Sequence, residues 1–482
     1  MRRTASVLAA GFWAACTPAR DEHRATFALA PCELPGAGRP GECGTLEVPL
    51  DPAHADGERL GLRVAVLRAP RREPDATPLF LLAGGPGQAA TEAFAAMLPA
   101  FAGIANDRDL VLVDQRGTGR SAPLDCQASD DLAEGFREGE LRAAAVRCKA
   151  SIDGRDLSQF STERAADDLE RVRAALGYEG IALYGVSYGT RLALRYAERH
   201  PGHARRLVLD GVAPPELVLG ASFAKDSQAS LDGLLAACAA DESCRAAFPD
   251  ARRTLDAHLE RLEEAPANVE ALHPRTGEPV HITMHRDPFA VALRGLLYAP
   301  ELAALVPLTI FEVSKGRYGA FIAQAAALGE PAQEEMSFGL FLSVVCAEDV
   351  PRIEDAAVAE SKATLFGDAL IRELRGACEA WPVARLASAP AVTPELLVPT
   401  LILSGGLDPV TPPRWGELVA ARIAGSRHLV ATDAGHGIGS RSCVPKLMRA
   451  FLGGEPASGL DAACLRGDIR PPFFIDRAGP RQ

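Results

Sequence analysis

A serine becomes a nucleophile when its hydroxyl stands clear of other side chains and beside a base, and Gly185-Val186-Ser187-Tyr188-Gly189 supplies the first of these conditions. The apolar run Ile181-Ala182-Leu183-Tyr184 precedes it and Thr190-Arg191-Leu192-Ala193-Leu194 follows, which reads as strand, tight turn and helix. Glycines on either side allow a turn sharp enough to lift Ser187 above the end of a sheet. The helix start aims free N–H groups and positive dipole at the reacting centre, which suits acyl transfer through an anionic tetrahedral intermediate. GxSxG alone is an ordinary turn often enough in a chain with 44 glycines that the choice rests on its partners.

A base and an orienting acid are expected downstream in the order Ser, Asp, His. Val398 to Ser404 reads as a buried strand that ends in Gly405-Gly406-Leu407-Asp408-Pro409-Val410-Thr411-Pro412-Pro413. His428 to Thr432 reads as another, leaving through Asp433-Ala434-Gly435-His436-Gly437, with His436 28 residues after Asp408. Loops at the C-terminal ends of parallel strands share one rim, so Ser187, Asp408 and His436 can converge there. His436 is preferred among ten histidines because it is framed by glycines after a strand. Asp210, after Val208-Leu209, is a rival for the acid, and Asp433 reads as a loop cap. Pro78 to Leu82 is a further strand, followed by Ala83-Gly84-Gly85-Pro86-Gly87-Gln88. Its backbone can approach a substrate oxygen, so the N–H groups of Gly85 and Tyr188 are the expected oxyanion hole. No GxxxxGK[ST] pattern favours reading this loop as a phosphate cradle.

Four segments now carry a resemblance: Gly84-Gly85-Pro86-Gly87, Asp114-Gln115-Arg116-Gly117-Thr118-Gly119-Arg120-Ser121, Gly185 to Thr190, and Gly405 to Pro412. The chain resembles α/β-hydrolases of the proline iminopeptidase and tripeptidyl aminopeptidase (TAP-like) family over nearly all of its mature length. That family usually has a histidine before the two glycines, and here the position is Ala83. The resemblance implies removal of residues from free peptide N-termini, with no metal and no cofactor. A carboxylesterase or lipase on small esters is the alternative within the fold, and a non-catalytic binding protein the alternative of another class.

The elements that must position these residues follow from the pattern. Strand-like runs at 44–50, 62–67, 79–82, 110–113, 181–184, 206–209 and from Thr400 alternate with helical stretches such as Arg164 to Leu176. This predicts an α/β-hydrolase fold with a mostly parallel sheet flanked by helices. Residues 17–213 and 396–482 are expected to form the core, and 214–395, mainly helical with helices over Ala251–Glu264 and Ala303–Val313, a cap over the catalytic rim. Within the cap, Val344-Val345-Cys346-Ala347-Glu348-Asp349 places two acids after an apolar run, so Glu348 and Asp349 are candidates for clamping a substrate α-ammonium group. Similar family members carry a comparable acidic pair.

The 482 residues, 48% of them hydrophobic, suffice for a large core, and a net charge of −12 argues against nucleic acid or anionic lipid as a partner. Eleven cysteines are present, Cys16 and ten more. Sequential pairing would give bridges 32–43, 126–148, 238–244, 346–378 and 443–464, although sequence does not fix connectivity. Persistent disulfides imply export. Met1-Arg2-Arg3 and the uncharged run Thr4–Ala19 fit a signal peptide over 1–16, and 16 uncharged residues fall short of the roughly 20 that span a bilayer. Ala14-Ala15-Cys16 resembles a lipoprotein cleavage site with Cys16 lipidated, although Trp13 stands where leucine is expected. The protein is therefore expected to be periplasmic, secreted or lipid-anchored, without a transmembrane helix, and to take peptides with a free N-terminus.

Overall fold

Uncharged aliphatic runs such as Leu79–Leu82, Leu110–Val113 and Thr400–Gly405 bury both faces and so occupy the middle of a sheet covered by helices. The computed structural model describes residues 27–71, 76–126, 132–152, 154–386, 392–467 and 470–480; the expected leader and Cys16 lie outside them. The strands are β1 (Ala30–Cys32), β2 (Gly41–Pro49), β3 (Arg59–Leu67), β4 (Leu79–Leu82), β5 (Leu110–Val113), β6 (Ile181–Val186), β7 (Ala204–Asp210), β8 (Ala267–Leu272), β9 (Pro279–Met284), β10 (Thr400–Gly405) and β11 (Arg427–Ala431). The helices used below are α1 (Thr162–Ala175), α2 (Tyr188–Arg199), α3 (Phe223–Ala240), α4 (Arg286–Leu296), α5 (Phe338–Glu348) and α6 (Pro413–Ala420).

The main sheet runs β1-β2-β3-β5-β4-β6-β7-β10-β11. From β5 to β11 every neighbour is parallel, whereas β1, β2 and β3 form an antiparallel edge. This is the expected α/β-hydrolase sheet. Alternate side chains serve its two faces. Phe80, Leu82, Leu183 and Leu207 pack with Ala165 and Leu169 of α1 and Leu192 and Ala193 of α2. Leu79, Leu81, Tyr184 and Leu403 pack on the other side with Phe94, Phe101, Met448 and Phe451.

The chain between β7 and β10 carries α3, α4 and α5, further helices over Ala251–Glu264, Val306–Ser314, Gly319–Glu335 and Ala369–Ala380, and the hairpin β8–β9. It has a core of its own around Leu231, Leu255, Met284, Phe289, Leu293 and Phe321. The hairpin was not read from sequence; only alternate residues such as Val269, Ile282 and Met284 are buried, a weak signal amid helices. The helix expected over 303–313 is divided into Pro300–Ala303 and Val306–Ser314, the second opening with Pro307 in its first turn, where a missing N–H costs nothing. Five bridges, Cys32–Cys43, Cys126–Cys148, Cys238–Cys244, Cys346–Cys378 and Cys443–Cys464, follow the sequential pairing.

This inserted segment grips the loops at the sheet's C-terminal rim. From α3, Ser230 Oγ donates to Leu407 O (2.6 Å) and Ser227 Oγ to Pro409 O (3.0 Å), on either side of Asp408. Arg414 at the start of α6 forks onto buried Asp226 of α3 at 2.9 and 2.8 Å. Ser337 N donates to Gly87 O (2.8 Å), tying the entry to α5 to the glycine-rich loop.

Candidate active site

Ser187 links β6 to α2 with φ 56° and ψ −126°, a conformation that costs a non-glycine residue on the order of 1–3 kcal/mol. Its neighbours are glycines because backbone crosses backbone there: a Cβ on Gly185 would sit 2.3 Å from Gly189 O, and one on Gly189 2.2 Å from Leu82 O. The turn is fixed by Ser187 N donating to Asp210 O (2.9 Å) and by Thr190, whose Oγ1 donates to Ser187 O (2.6 Å). Ser187 itself is half-buried. The glycine-rich loop after β4 reaches it, since a Cβ on Gly84 would lie 3.0 Å from Ser187 Cβ. The next residue, Gly85, holds φ 105°, accessible to glycine at little cost. Tyr188 opens α2, where a backbone N–H has no intrahelical acceptor.

Beyond β10 and β11, two and three strands from β6, Asp408 Oδ2 and His436 Nδ1 are 2.8 Å apart. Donation from Nδ1–H to the carboxylate leaves Nε2 as the proton-accepting nitrogen. Asp408 is buried and its oxygens are filled: Oδ1 accepts from Val410 N (2.9 Å) and Thr411 N (2.8 Å), and Oδ2 from Thr411 Oγ1 (2.7 Å). Burial alone would raise the Asp408 pKa; the imidazole and the Thr411 donors outweigh it and hold the carboxyl below its usual range. For His436, burial opposes the charged form, but Asp408 and then Asp210 more than offset this and raise the pKa.

The Asp210–Gly211 corner joins the two halves. Its Asp210 carbonyl receives Ser187 N at 2.9 Å, and a Cβ on Gly211 would lie 3.2 Å from His436 Cε1. Among the described residues no hydrogen bond reaches the Ser187 hydroxyl. In hydrolases the serine–imidazole bond is often long without substrate and tightens on binding.

Among the described residues Asp210, the rival acid, makes no hydrogen bond to the imidazole, whose Nδ1 pairs with Asp408. The Asp210 carboxylate accepts from Ile438 N (2.8 Å), Gly439 N (2.6 Å) and Tyr184 Oη (2.7 Å), so it braces the loop that carries His436. Three contributors escaped the sequence reading. Thr411, quoted there only as part of a motif, donates to Asp408 and sits 3.0 Å from His436 Nδ1. Tyr184 hydrogen-bonds Asp210 from inside β6. Tyr298, in the inserted segment, accepts His436 N through its carbonyl (2.8 Å) and sets its ring edge-on to the imidazole, centroids 5.3 Å apart. No local pattern marks Tyr298; only the fold brings it near.

Glu348 and Asp349 are placed otherwise than expected. Both are buried at the end of α5, against α1 and α2. Asp349 pairs with buried Arg191 of α2 (3.0 Å) and accepts from Leu219 N (3.0 Å). Glu348 accepts from Thr162 N (2.8 Å) and Thr162 Oγ1 (2.7 Å), and Tyr188 Oη lies 2.8 Å from that same Oγ1. Burial, only partly countered by Arg191, raises the Glu348 pKa. The carboxylates thus have internal partners and bind α2, the helix that follows Ser187, to α1 and α5, rather than presenting an acidic face to a ligand amine. Asp433 is partly exposed on the loop before His436. Among the described residues no cluster of His, Cys, Asp and Glu could hold a metal, and no helix is long and apolar enough to cross a membrane.

The fold and the strand–serine–helix turn define an α/β-hydrolase. A family model described as alpha/beta hydrolase fold matches residues 77–255, and one described as TAP-like protein matches 362–464. Over these two stretches the chain is similar to α/β-hydrolases and to TAP-like proteins. It is 27% identical over 471 residues to Serine protease Hip1 of Mycobacterium tuberculosis, covering 86% of each chain. It is also 31% identical over 195 residues to Tripeptidyl aminopeptidase of Streptomyces coelicolor, 37% of this chain and 36% of that one. Among solved structures it is similar to proline iminopeptidase of Mycobacterium smegmatis, with 16% identity, 85% of this chain and 97% of that one covered, and a TM-score of 0.41.

Proposed function

We propose that this protein is an exported serine peptidase that releases residues from the free N-termini of peptides. The observation that carries the reading is the buried Asp408–His436 pair, held at the Asp210–Gly211 corner that also fixes Ser187. In this mechanism His436 Nε2 takes the Ser187 proton as the oxygen attacks the scissile carbonyl. The N–H groups of Gly85 and Tyr188 receive the developing oxyanion. His436 then gives the proton to the leaving amine, and water enters by the same route in reverse to free the acyl group. Asp408 stabilises the transient imidazolium and fixes its tautomer, with Thr411 holding the carboxylate in place.

The peptidase reading is supported by the names of the relatives, a serine protease along most of the chain and an aminopeptidase over part of it. Residues 214–395 act as the cap that shapes the substrate cleft, supported by their hydrogen bonds to the Asp408 loop and the glycine-rich loop. Export is supported by five disulfides, with residues 1–16 as signal peptide and Cys16 as the site of a lipid anchor. The test is product analysis on a mixed peptide pool, with free and N-acetylated members, beside acetyl esters. Release of one to three residues from free N-termini only is the expected result. Ester turnover without N-terminal release would leave a carboxylesterase.

A further inference from the structure

Several buried or half-buried arginines of this protein meet a carboxylate: Arg116 meets Asp168, Arg191 meets Asp349 and Arg173 meets Glu170. Half-buried Arg294 of α4 meets none among the described residues, in a chain with 63 acidic and 51 basic residues. Its guanidinium lies over two rings, 5.5 Å from the Phe223 centroid and 5.8 Å from that of Tyr298. Its described hydrogen bond is a long one, Nη1 to Tyr298 Oη at 3.3 Å, and its buried Nε–H has no acceptor among the described residues. Tyr298, one helical turn on, is the residue that touches His436 with both carbonyl and ring. Phe223 packs with Ala213, Leu217 and Leu219, on the segment that leaves the Asp210–Gly211 corner. Arg294 therefore sits between the two chain segments that flank the candidate nucleophile's rim.

A desolvated N–H with no acceptor is costly to maintain, and a guanidinium drawn to ring faces keeps a planar fork of donors that suits bidentate contact with a planar anion. We propose that Arg294 is a specificity residue that binds a carboxylate of the substrate peptide on the His436 side of the cleft. This rests on the peptidase reading above. The carboxylate is the C-terminus of a short peptide or an acidic side chain, chemically the same to a guanidinium fork.

The inactive Ser187→Ala protein separates binding from turnover. Titration calorimetry with tetra-alanine and its C-terminal amide reads the first source of carboxylate, and Ala-Ala-Glu-Ala amide against its glutamine counterpart reads the second. A preference for the acid form of about 10- to 100-fold in either pair is expected, from the strength of charged hydrogen bonds. The field of a protein of charge −12 acts the other way, favouring the more positive member of each pair, so long-range electrostatics cannot mimic the result. Adding Arg294→Gln should reduce the ratio to near one, and Arg294→Lys should keep part of it. Because each ratio is taken within one protein, a general loosening around Phe223 and Tyr298 cancels. Equal affinities in both pairs, or a preference that survives Arg294→Gln, would overturn the proposal. Failure of the peptidase reading would show separately, as absent turnover of any of these peptides by the wild type.

Discussion

Two groups of buried acids lie around the Ser187 turn and its helix, and they have opposite kinds of partner. In one, Asp408 faces an imidazole that keeps a second nitrogen available. In the other, Asp349 and Glu348 face an arginine and a threonine, neither of which titrates near neutrality. The first arrangement can pass a proton; the second can only hold α2 in place. A carboxylate's role thus depends on whether its partner titrates near neutrality, which its own burial does not reveal.

The contrast is broken most sharply by paired substitutions. Asp408→Asn should lower kcat by about four orders of magnitude, since the amide favours the wrong imidazole tautomer. Glu348→Gln loses one hydrogen bond and should cost less than about tenfold. Steady-state kinetics on free and N-acetylated peptides compares them. A Glu348→Gln loss confined to free-amine substrates would restore the amine-clamp role.

Arg191→Met should barely touch proton transfer but leave Asp349 buried and unpaired, destabilising the fold by about 3–5 kcal/mol in urea unfolding. Removing both charges, as in Arg191→Met with Asp349→Leu, should recover most of that. A single variant as stable as wild type would mean the pair does not anchor α2.

Smaller effects sharpen the first site. Because His436 titrates above its ordinary 6.5 and must be neutral to accept a proton, kcat/KM should fall as pH drops through a value above 6.5. Asp210→Asn removes one of the two charges that raise it, so this acid limb should move to lower pH, with Asp408, Thr411 and Tyr298 still around the ring. An unmoved limb would confine Asp210 to holding the Ile438–Gly439 backbone. Thr411→Val deletes one donor to Asp408 and should cost about 0.5–1.5 kcal/mol in kcat/KM.

Much of this site was legible in sequence because its chemistry is written locally. Gly185 and Gly189 mark a crossing of strand and helix that tolerates no side chain, and the loops bearing Asp408 and His436 follow short strands with apolar centres. The strands of the parallel sheet were visible for the same reason. What stayed hidden depends on contacts between distant segments. Glu348 looks like a ligand for an amine until Thr162, 186 residues away, is seen donating to it. Tyr298 and Arg294 lie in a helical region whose periodicity reports only its own packing, and the hairpin β8–β9 offers too few buried positions to outweigh that signal.

The central claim is that the Ser187 hydroxyl is made reactive by His436. Labelling with a fluorophosphonate, followed by peptide mapping, tests it directly in wild type and His436→Ala. The account predicts one label per chain, on Ser187, and a rate that falls by several orders of magnitude without the imidazole. A label on another residue, or undiminished labelling of Ser187 in His436→Ala, would contradict it.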